Sequence, residues 1–148
     1  MPPDWIRFCP GTRRDHYRIK TRNESVLAKR GDGMTDCIFC KLANGEIPTD
    51  FIFESDDIVA FADIDPKAPV HVLIIPKRHY PTTMVMSEEA PELFVSMFKA
   101  STDIARKLGI DQSGFRLILN TNVDGGQEVF HVHMHLMGGE EIGPLRAR

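Results

Sequence analysis

The chain has 148 residues, of which 42% are hydrophobic and 26% are charged, and its formal net charge is −3. These proportions are those of an ordinary one-domain globular protein, and they exclude a collagen, a coiled coil and a wholly disordered chain. A small negative charge argues against broad binding to nucleic acid or to acidic membranes. No apolar run reaches the 18 residues of a membrane span. From the charge and from the lack of such a run, we expect neither a nucleic-acid nor a membrane partner.

Residues 1–33 differ in composition from the rest of the chain. They hold eight basic and four acidic residues, so they carry +4 and leave −7 for the remainder. They show no periodicity and end on the linker-like Gly31-Asp32-Gly33. We predict a basic N-terminal extension over 1–33, flexible or non-native, and one folded domain over 34–148. An Arg-rich targeting peptide is the alternative, although the acids weaken it, and without a secretory signal we expect a cytoplasmic protein.

The folded domain reads as helix and strand segments in chain order. A short helix is predicted over residues 37–43, with Asp36 as its N-cap and Asn44-Gly45 at its end. Five strands are predicted over residues 51–54, 58–63, 71–75, 115–120 and 129–136, the first two forming a hairpin. This pattern predicts an α+β fold with a five-stranded, mainly antiparallel sheet, one long helix and one short helix.

The long helix is predicted over residues 88–108, between the cap Ser87 and the terminal Gly109. Its apolar positions recur at helical spacing on one face, which is typical of a helix packed on a core. The residues assigned to the core by this periodicity are Leu93, Phe94, Met97, Phe98, Ile104, Ala105 and Leu108.

Three histidines alternate along the last predicted strand, at His131, His133 and His135. Side chains of a strand alternate between its faces, so these imidazoles share one face while aliphatic residues between them enter the core. Imidazole can attack, donate and accept protons near neutral pH, and it also binds transition metals. The pattern indicates a functional site but leaves nucleophilic catalysis and a metal centre both open.

The loop before that strand, residues 120–127, is polar and contains Gly125-Gly126. Glycines allow backbone N–H groups to approach a ligand closely, so such a loop suits a phosphate group. The loop therefore favours a ligand that carries a phosphate group.

Several separated motifs resemble the histidine triad (HIT) superfamily, most closely its Hint-like, bacterial-type purine nucleoside phosphoramidase branch. The motifs are CIFCK (37–41), FADIDP (61–66), APVH (68–71), IPKRH (75–79) and GGQEVF (125–130), followed by the three alternating histidines. The resemblance covers residues 34–148. It implies a HIT-like fold and a homodimer in which long helices and sheet edges meet.

The resemblance implies hydrolysis of purine nucleoside 5′-phosphoramidates, typified by adenosine 5′-monophosphoramidate, through a covalent nucleotidyl-histidine intermediate. His133 matches the nucleophile and His135 the group that stabilises phosphate charge, with His131 completing the triad and His71 supporting it. The residues matched to nucleotide binding are Ile38, Phe39, Phe61 and Ile64 around the purine, Asp63 at the ribose, and Asn120, Gln127, Glu128 and Val129 near the phosphate. Glu128 stands where eukaryotic members usually have Ser, and the tail from Gly138 onward resembles the bacterial tail, expected to reach the partner's site.

Zinc-bearing members of the superfamily also imply a metal site. The matching residues are Cys37, Cys40, His79 and His131, a set that suits a closed tetrahedral site. We expect a structural zinc there and no cofactor for catalysis. The alternative is that the two cysteines are buried small hydrophobic residues.

Three other functions stay open at this point. The first is a dinucleoside polyphosphate hydrolase from the fragile-histidine branch of the same superfamily, which a comparison of the two substrates would separate from a phosphoramidase. A metallohydrolase would hold a catalytic metal on the three histidines and would lose activity on chelation. A nucleotide-binding regulatory protein with vestigial catalysis would bind nucleotides without turnover.

Overall fold

The computed structural model describes residues 36–146, and the predicted extension over 1–33 lies outside them. The elements of this part of the chain are α1 (Ile38–Ala43), β1 (Phe51–Glu54), β2 (Ile58–Ala62), β3 (Val70–Pro76), α2 (Thr83–Glu89), α3 (Glu92–Lys107), β4 (Phe115–Leu119) and β5 (Met134–Gly138). The predicted α+β class with five strands is confirmed, and the structure adds a third helix. Of the helices within 36–146, none combines the length and apolar character needed to cross a membrane.

The five strands form one antiparallel sheet in the order β1-β2-β3-β5-β4. β1 and β2 make the predicted hairpin, whereas β5, the last strand in sequence, inserts between β3 and β4. Leu73 of β3 lies directly opposite His135 of β5. Because side chains two residues apart on a strand share a face, His71 lies diagonally across from His135 on the same side of the sheet.

The two faces of the sheet bury different clusters. Val72 and Ile74 of β3 join the larger core, which α3 covers, while Leu73 and Ile75 join a smaller cluster with Phe39 of α1. Alternation along a strand buried on both faces produces this division. The functional cleft described below lies on the smaller face, beside α1.

The prediction of a single helix over residues 88–108 is wrong at its beginning. α2 ends at Glu89 and α3 begins at Glu92. Pro91 lacks an N–H and restricts the residue before it, and Ala90 is accordingly non-helical, with φ −152° and ψ 61°.

Both predicted N-caps are also wrong. Ser87 lies inside α2, and the cap of that helix is Thr82, whose hydroxyl oxygen accepts an N–H of the first turn at 3.3 Å. The cap position of α1 is Cys37. Asp36 lies one residue too early to occupy it, and its carboxylate is 3.5 Å from Nζ of Lys41.

The apolar face of α3 is core along most of its length. The predicted stripe residues that are buried are Leu93, Met97, Ile104 and Ala105, with Phe94 half-buried. Phe98 and Leu108 are instead 56% and 37% exposed, because the predicted stripe is wider than the contact of α3 with the sheet. Gly109 (φ +70°) ends the helix as predicted, with Ile110 donating its N–H to the carbonyl of Ala105 at 3.0 Å.

Candidate active site and metal centre

The histidine segment keeps the predicted alternation, but the strand begins later than predicted. Val132, Met134 and Leu136 are buried in the larger core, while β5 begins only at Met134. The partner strand β3 ends at Pro76, which has no N–H to continue the ladder. The carbonyl of Pro76 instead accepts a hydrogen bond from Nε2 of His131 at 2.8 Å. The first triad histidine is therefore bonded outside the sheet.

His131 belongs to a compact cluster of four metal-ligating side chains. Its Nδ1 lies 3.5 Å from Sγ of both Cys37 and Cys40, and 3.2 Å from Nδ1 of His79. Nδ1 of His79 also lies 3.3 Å from Sγ of Cys40. All four donor atoms are within 4.8 Å of one another. The structure thus brings together the four predicted metal ligands.

The spacing of these donors fits a tetrahedral ion. With zinc–sulfur and zinc–nitrogen bonds of ordinary length, a tetrahedron has nitrogen–nitrogen edges of about 3.3 Å and nitrogen–sulfur edges of about 3.5 Å. The bond from His131 Nε2–H to the Pro76 carbonyl leaves the lone pair of His131 on Nδ1, which faces the sulfurs. The cluster could therefore hold a metal ion without rearrangement.

Burial sets the protonation of the cluster. It lowers the pKa of His131 to about 4 and also lowers the pKa of His79, so both imidazoles are neutral at pH 7. Burial, together with the neighbouring Cys37, raises the pKa of the Cys40 thiol to about 11. A bound dication would displace the thiol protons, so metal uptake at this cluster should release protons.

The ring of His133 is oriented by a hydrogen bond to the backbone. Its Nδ1–H donates to the backbone carbonyl of His131 at 2.8 Å. A carbonyl can only accept, so Nδ1 carries a proton, and in the neutral imidazole the lone pair is on Nε2. The side chain is 7% exposed and lines the cleft. The bond to the backbone therefore leaves Nε2 as the ring nitrogen that could attack a substrate, at the predicted position of the nucleophile.

A chain of hydrogen bonds fixes the tautomers of the two remaining cleft histidines. The backbone N–H of Lys67 donates to Nδ1 of His71 at 3.0 Å, so the proton of His71 is on Nε2. That Nε2–H donates to Nδ1 of His135 at 2.9 Å, which places the proton of His135 on Nε2. Burial, then repulsion from His133 and His71, lowers the pKa of His135 to about 4. At pH 7 His135 is thus a neutral donor.

Asp63 joins this group, because its Oδ2 lies 3.3 Å from Nε2 of His71. Asp63, His71 and His135 are close enough together to be considered as metal ligands. A metal on Nε2 of His71 would move the proton to Nδ1, where it would oppose the N–H of Lys67. The hydrogen bonding therefore disfavours a metal at this second cluster, and His131 belongs to the first one, which argues against a catalytic metal on the three triad histidines.

A cleft of about 450 Å³ opens beside His133 and His135. The predicted site residues that line it are Ile38, Phe39, Asp63, Ile64, His71, Asn120, Glu128, Val129, His133 and His135. Of the described residues that were predicted to be catalytic or to bind the nucleotide, those outside this lining are Phe61, Gln127 and His131. Phe61 is buried with its ring edge-on to that of Phe39, at 6.0 Å, so it supports the apolar wall from behind.

Sequence reasoning missed four lining residues, namely Asp65, Lys67, Leu73 and Gly126. Leu73 could have been found from its alternation with His71 on the same strand. Lys67 is paired with Asp65, which raises the pKa of its ammonium group. Its more important contact, the backbone N–H to His71, leaves no trace in the side-chain pattern.

The glycine-containing loop is held by its own hydrogen bonds. The N–H groups of Gly126 and Gln127 donate to carbonyls within the loop at 2.9 and 3.0 Å. These two groups are therefore not free to bind a phosphate, in contrast to the prediction for this loop. The buried Gln127 side chain accepts from the N–H of Asn122 at 2.9 Å and donates to the carbonyl of Pro81 at 2.7 Å. A Cβ on Gly125 would clash with the carbonyl oxygen of Thr121, so close backbone packing requires this glycine.

Comparisons with known proteins agree with this geometry. The HIT domain profile matches residues 44–142. The purine nucleoside phosphoramidase of Escherichia coli (strain K12) is 46% identical over 112 residues, which cover 76% of this chain and 94% of that protein. A HIT family hydrolase from Legionella pneumophila Philadelphia 1 has a TM-score of 0.69 at 44% identity, covering 72% of this chain and 95% of that one. A histidine triad protein from Clostridium difficile has a TM-score of 0.72 at 41% identity, covering 75% of this chain and 96% of that one. The chain therefore belongs to the HIT domain family.

Proposed function

We propose that this HIT-domain hydrolase cleaves the phosphorus–nitrogen bond of purine nucleoside 5′-phosphoramidates, with His133 as the nucleophile. The observation that carries the proposal is the pair of complementary tautomers in the cleft. In the neutral His133 imidazole the lone pair is on Nε2, because Nδ1–H is bonded to the carbonyl of His131. Nε2 of His135 carries a proton, because its Nδ1 accepts from His71. A nucleophile next to a hydrogen-bond donor is what attack on a phosphoryl group requires.

The reaction would proceed in two displacements. In the first, Nε2 of His133 bonds to the α-phosphorus, the phosphorus–nitrogen bond breaks, and the leaving nitrogen keeps the electron pair and takes up a proton from solvent water to depart as an amine. In the second, water attacks phosphorus and releases a proton to the solvent, and the electron pair of the phosphorus–nitrogen bond to His133 returns to Nε2. His135 stabilises the phosphoryl oxygens in both steps through its Nε2–H.

The shape of the cleft supports a nucleotide as the substrate. Ile38, Phe39 and Ile64 form an apolar wall, and Ile64 is fully exposed, so a flat base would cover it. Asp63 offers a carboxylate that can accept hydrogen bonds from ribose hydroxyls. Its Oδ1 is oriented by the N–H of Asp65, at 2.8 Å.

We also propose zinc as the occupant of the Cys37, Cys40, His79 and His131 cluster. The donor set and its spacing support this choice. The ion would link α1 to the sheet and add folding free energy, while the chemistry stays with the cleft histidines.

A homodimer completes the proposal. Val95 and Phe98 of α3 are 58% and 56% exposed, so the helix presents a partly apolar outer surface. β4 lies at the edge of the sheet, where a second copy could pair with its free backbone groups. Phe98→Asp should therefore shift the protein towards the monomer in analytical ultracentrifugation, and an unchanged dimer would exclude this surface.

The nucleophile is tested by intact-mass spectrometry after brief acid quench with adenosine 5′-monophosphoramidate. The wild type should release AMP and show an AMP-sized adduct, and His133→Ala should do neither. His135→Gln is the matched control, because it removes a neighbouring imidazole while retaining the nucleophile, and it should form the adduct more slowly. A wild type that releases no AMP would contradict the proposal. Faster turnover of a diadenosine polyphosphate would overturn the substrate class but not the nucleophile.

A further inference from the structure

The metal cluster and the cleft share one short stretch of chain. Cys37 and Cys40 are separated only by Ile38 and Phe39, and both of these residues line the cleft. The six-residue α1 that carries them is too short to be stable in isolation. The position of α1 therefore depends on tertiary contacts, which include those of the two cysteine sulfur atoms with His79 and His131.

Phe39 lies between two histidines that have different tasks. Its ring centroid is 5.9 Å from that of His131 and 5.1 Å from that of His133, and both contacts are edge-on. The side chain is 7% exposed and is backed by Phe61. In a close-packed site, edge-on aromatic contacts have a narrow range of favourable geometries, so displacement of one ring displaces the next.

A second connection runs through the backbone. The imidazole of His131 lies in the metal cluster, while its carbonyl accepts the Nδ1–H of His133 at 2.8 Å. An ion that restrains the ring of His131 therefore also restrains the group that orients the nucleophile.

We propose that Phe39 is a positioning residue that couples metal binding at the cluster to nucleotide binding in the cleft, so that each ligand strengthens the binding of the other. The inference rests on the metal and nucleotide sites proposed above. Coupling of this kind is reciprocal, because the factor by which metal raises nucleotide affinity equals the factor by which nucleotide raises metal affinity. We expect a coupling factor of about five or more in the wild type.

The test uses the full chain with AMP and zinc as probes. Metal content is measured by mass spectrometry, and circular dichroism checks that the metal-free protein is folded. Calorimetry gives the AMP affinity with and without zinc, and chelator competition gives the zinc affinity with and without saturating AMP. In the cobalt-substituted protein, AMP should also change the visible absorption of the thiolate-bound ion.

Two variants separate coupling from simple loss of binding. Phe39→Leu keeps all four ligands and the backbone connection through His131, so it should bind one metal ion while its coupling factor falls below that of the wild type. Ile64→Ala is the matched control, because Ile64 lines the cleft outside the apolar cluster that contains Phe39. This control should weaken AMP binding and leave the coupling factor unchanged.

Equal AMP affinities with and without zinc would overturn the inference, as would a coupling factor that Phe39→Leu does not lower. A metal-free protein that is unfolded would also overturn it, since the linkage would then be folding alone. Failure to take up metal, or to bind AMP, would overturn the corresponding proposed site together with the inference.

Discussion

The metal cluster and the cleft use the same residue type for opposite purposes. His131 and His133 are two residues apart, and each donates one ring N–H to a backbone carbonyl. His131 uses Nε2 for this bond and turns the Nδ1 lone pair to two sulfur atoms, whereas His133 uses Nδ1 and leaves Nε2 to the cleft. The nitrogen that is tied to the backbone decides whether an imidazole is suited to bind a metal or to attack a substrate.

The largest expected effect comes from removing the nucleophile of the cleft alone. His133→Ala should lower kcat for adenosine 5′-monophosphoramidate by about 10⁴-fold or more, because the covalent step is lost. Its metal content, measured by elemental mass spectrometry, should equal that of the wild type. Loss of metal in this variant would contradict the proposal that His133 serves catalysis in the cleft while the cluster binds the metal.

The converse variant removes a ligand from the cluster. Cys40→Ser should take up much less zinc, and at saturating zinc the loss of binding should cost roughly 4 kcal/mol of stability. For a domain of this size the melting temperature should then fall by about 10 °C or more, as measured by calorimetry. A variant that is as stable as the wild type in the presence of zinc would contradict a structural role for the ion.

A smaller effect is expected from the donor in the cleft. His135→Ala should lower kcat by about 10²- to 10³-fold, the usual cost of losing one donor to a developing negative charge. Since the nucleophile remains, rapid-quench kinetics should show slower adduct formation rather than none. Unchanged kinetics would remove His135 from the mechanism.

The smallest effect is a pH dependence of stability. The pKa of His135 is about 4 in the folded protein, chiefly because of burial, whereas an unfolded histidine keeps a pKa of about 6.5. Between these values the unfolded chain binds more protons, so the free energy of unfolding falls as the pH drops from about 6.5 to about 4. After allowance for partial exposure, His135 should account for roughly 1 kcal/mol of the loss between pH 7 and pH 5.

Urea unfolding of the wild type and of His135→Gln at pH 7 and pH 5 measures the contribution of His135 to the pH dependence of the free energy of unfolding. The variant should lose less stability on acidification than the wild type does. Equal losses would show that His135 is not a source of the pH dependence.

Much of the fold could be predicted from local patterns. The hairpin of β1 and β2, the alternation around the triad and the end of α3 at Gly109 each depend on a few neighbouring residues. The division of the long helix before Pro91 was also readable from local chemistry, but the continuing apolar periodicity favoured a single helix. Periodicity indicates which residues face a core, and it does not show where the backbone leaves the helical conformation.

The candidate site was predicted less completely. The residue set came from motifs, and most of it converges on the cleft or the cluster. Gln127 was matched to the phosphate, yet its amide is buried and bonded to Pro81 and Asn122. Phe98 was assigned to the core, yet it is half exposed. Both errors arise because residue type does not reveal which partner a side chain meets after folding.

The sequence by itself determined the strand segments, the alternation of the three triad histidines with core aliphatic residues and the supply of two thiols and five imidazoles in the domain, since these follow from short-range patterns and composition. Only the tertiary structure decided which ring nitrogen of each imidazole is bonded to the backbone or to another imidazole. The bonds from His131 to Pro76 and from Lys67 to His71 join groups that folding brings together, and each fixes a proton on one ring nitrogen. A proton position set by such a contact has no signature in the order of the residues, because it depends on backbone groups that every residue carries.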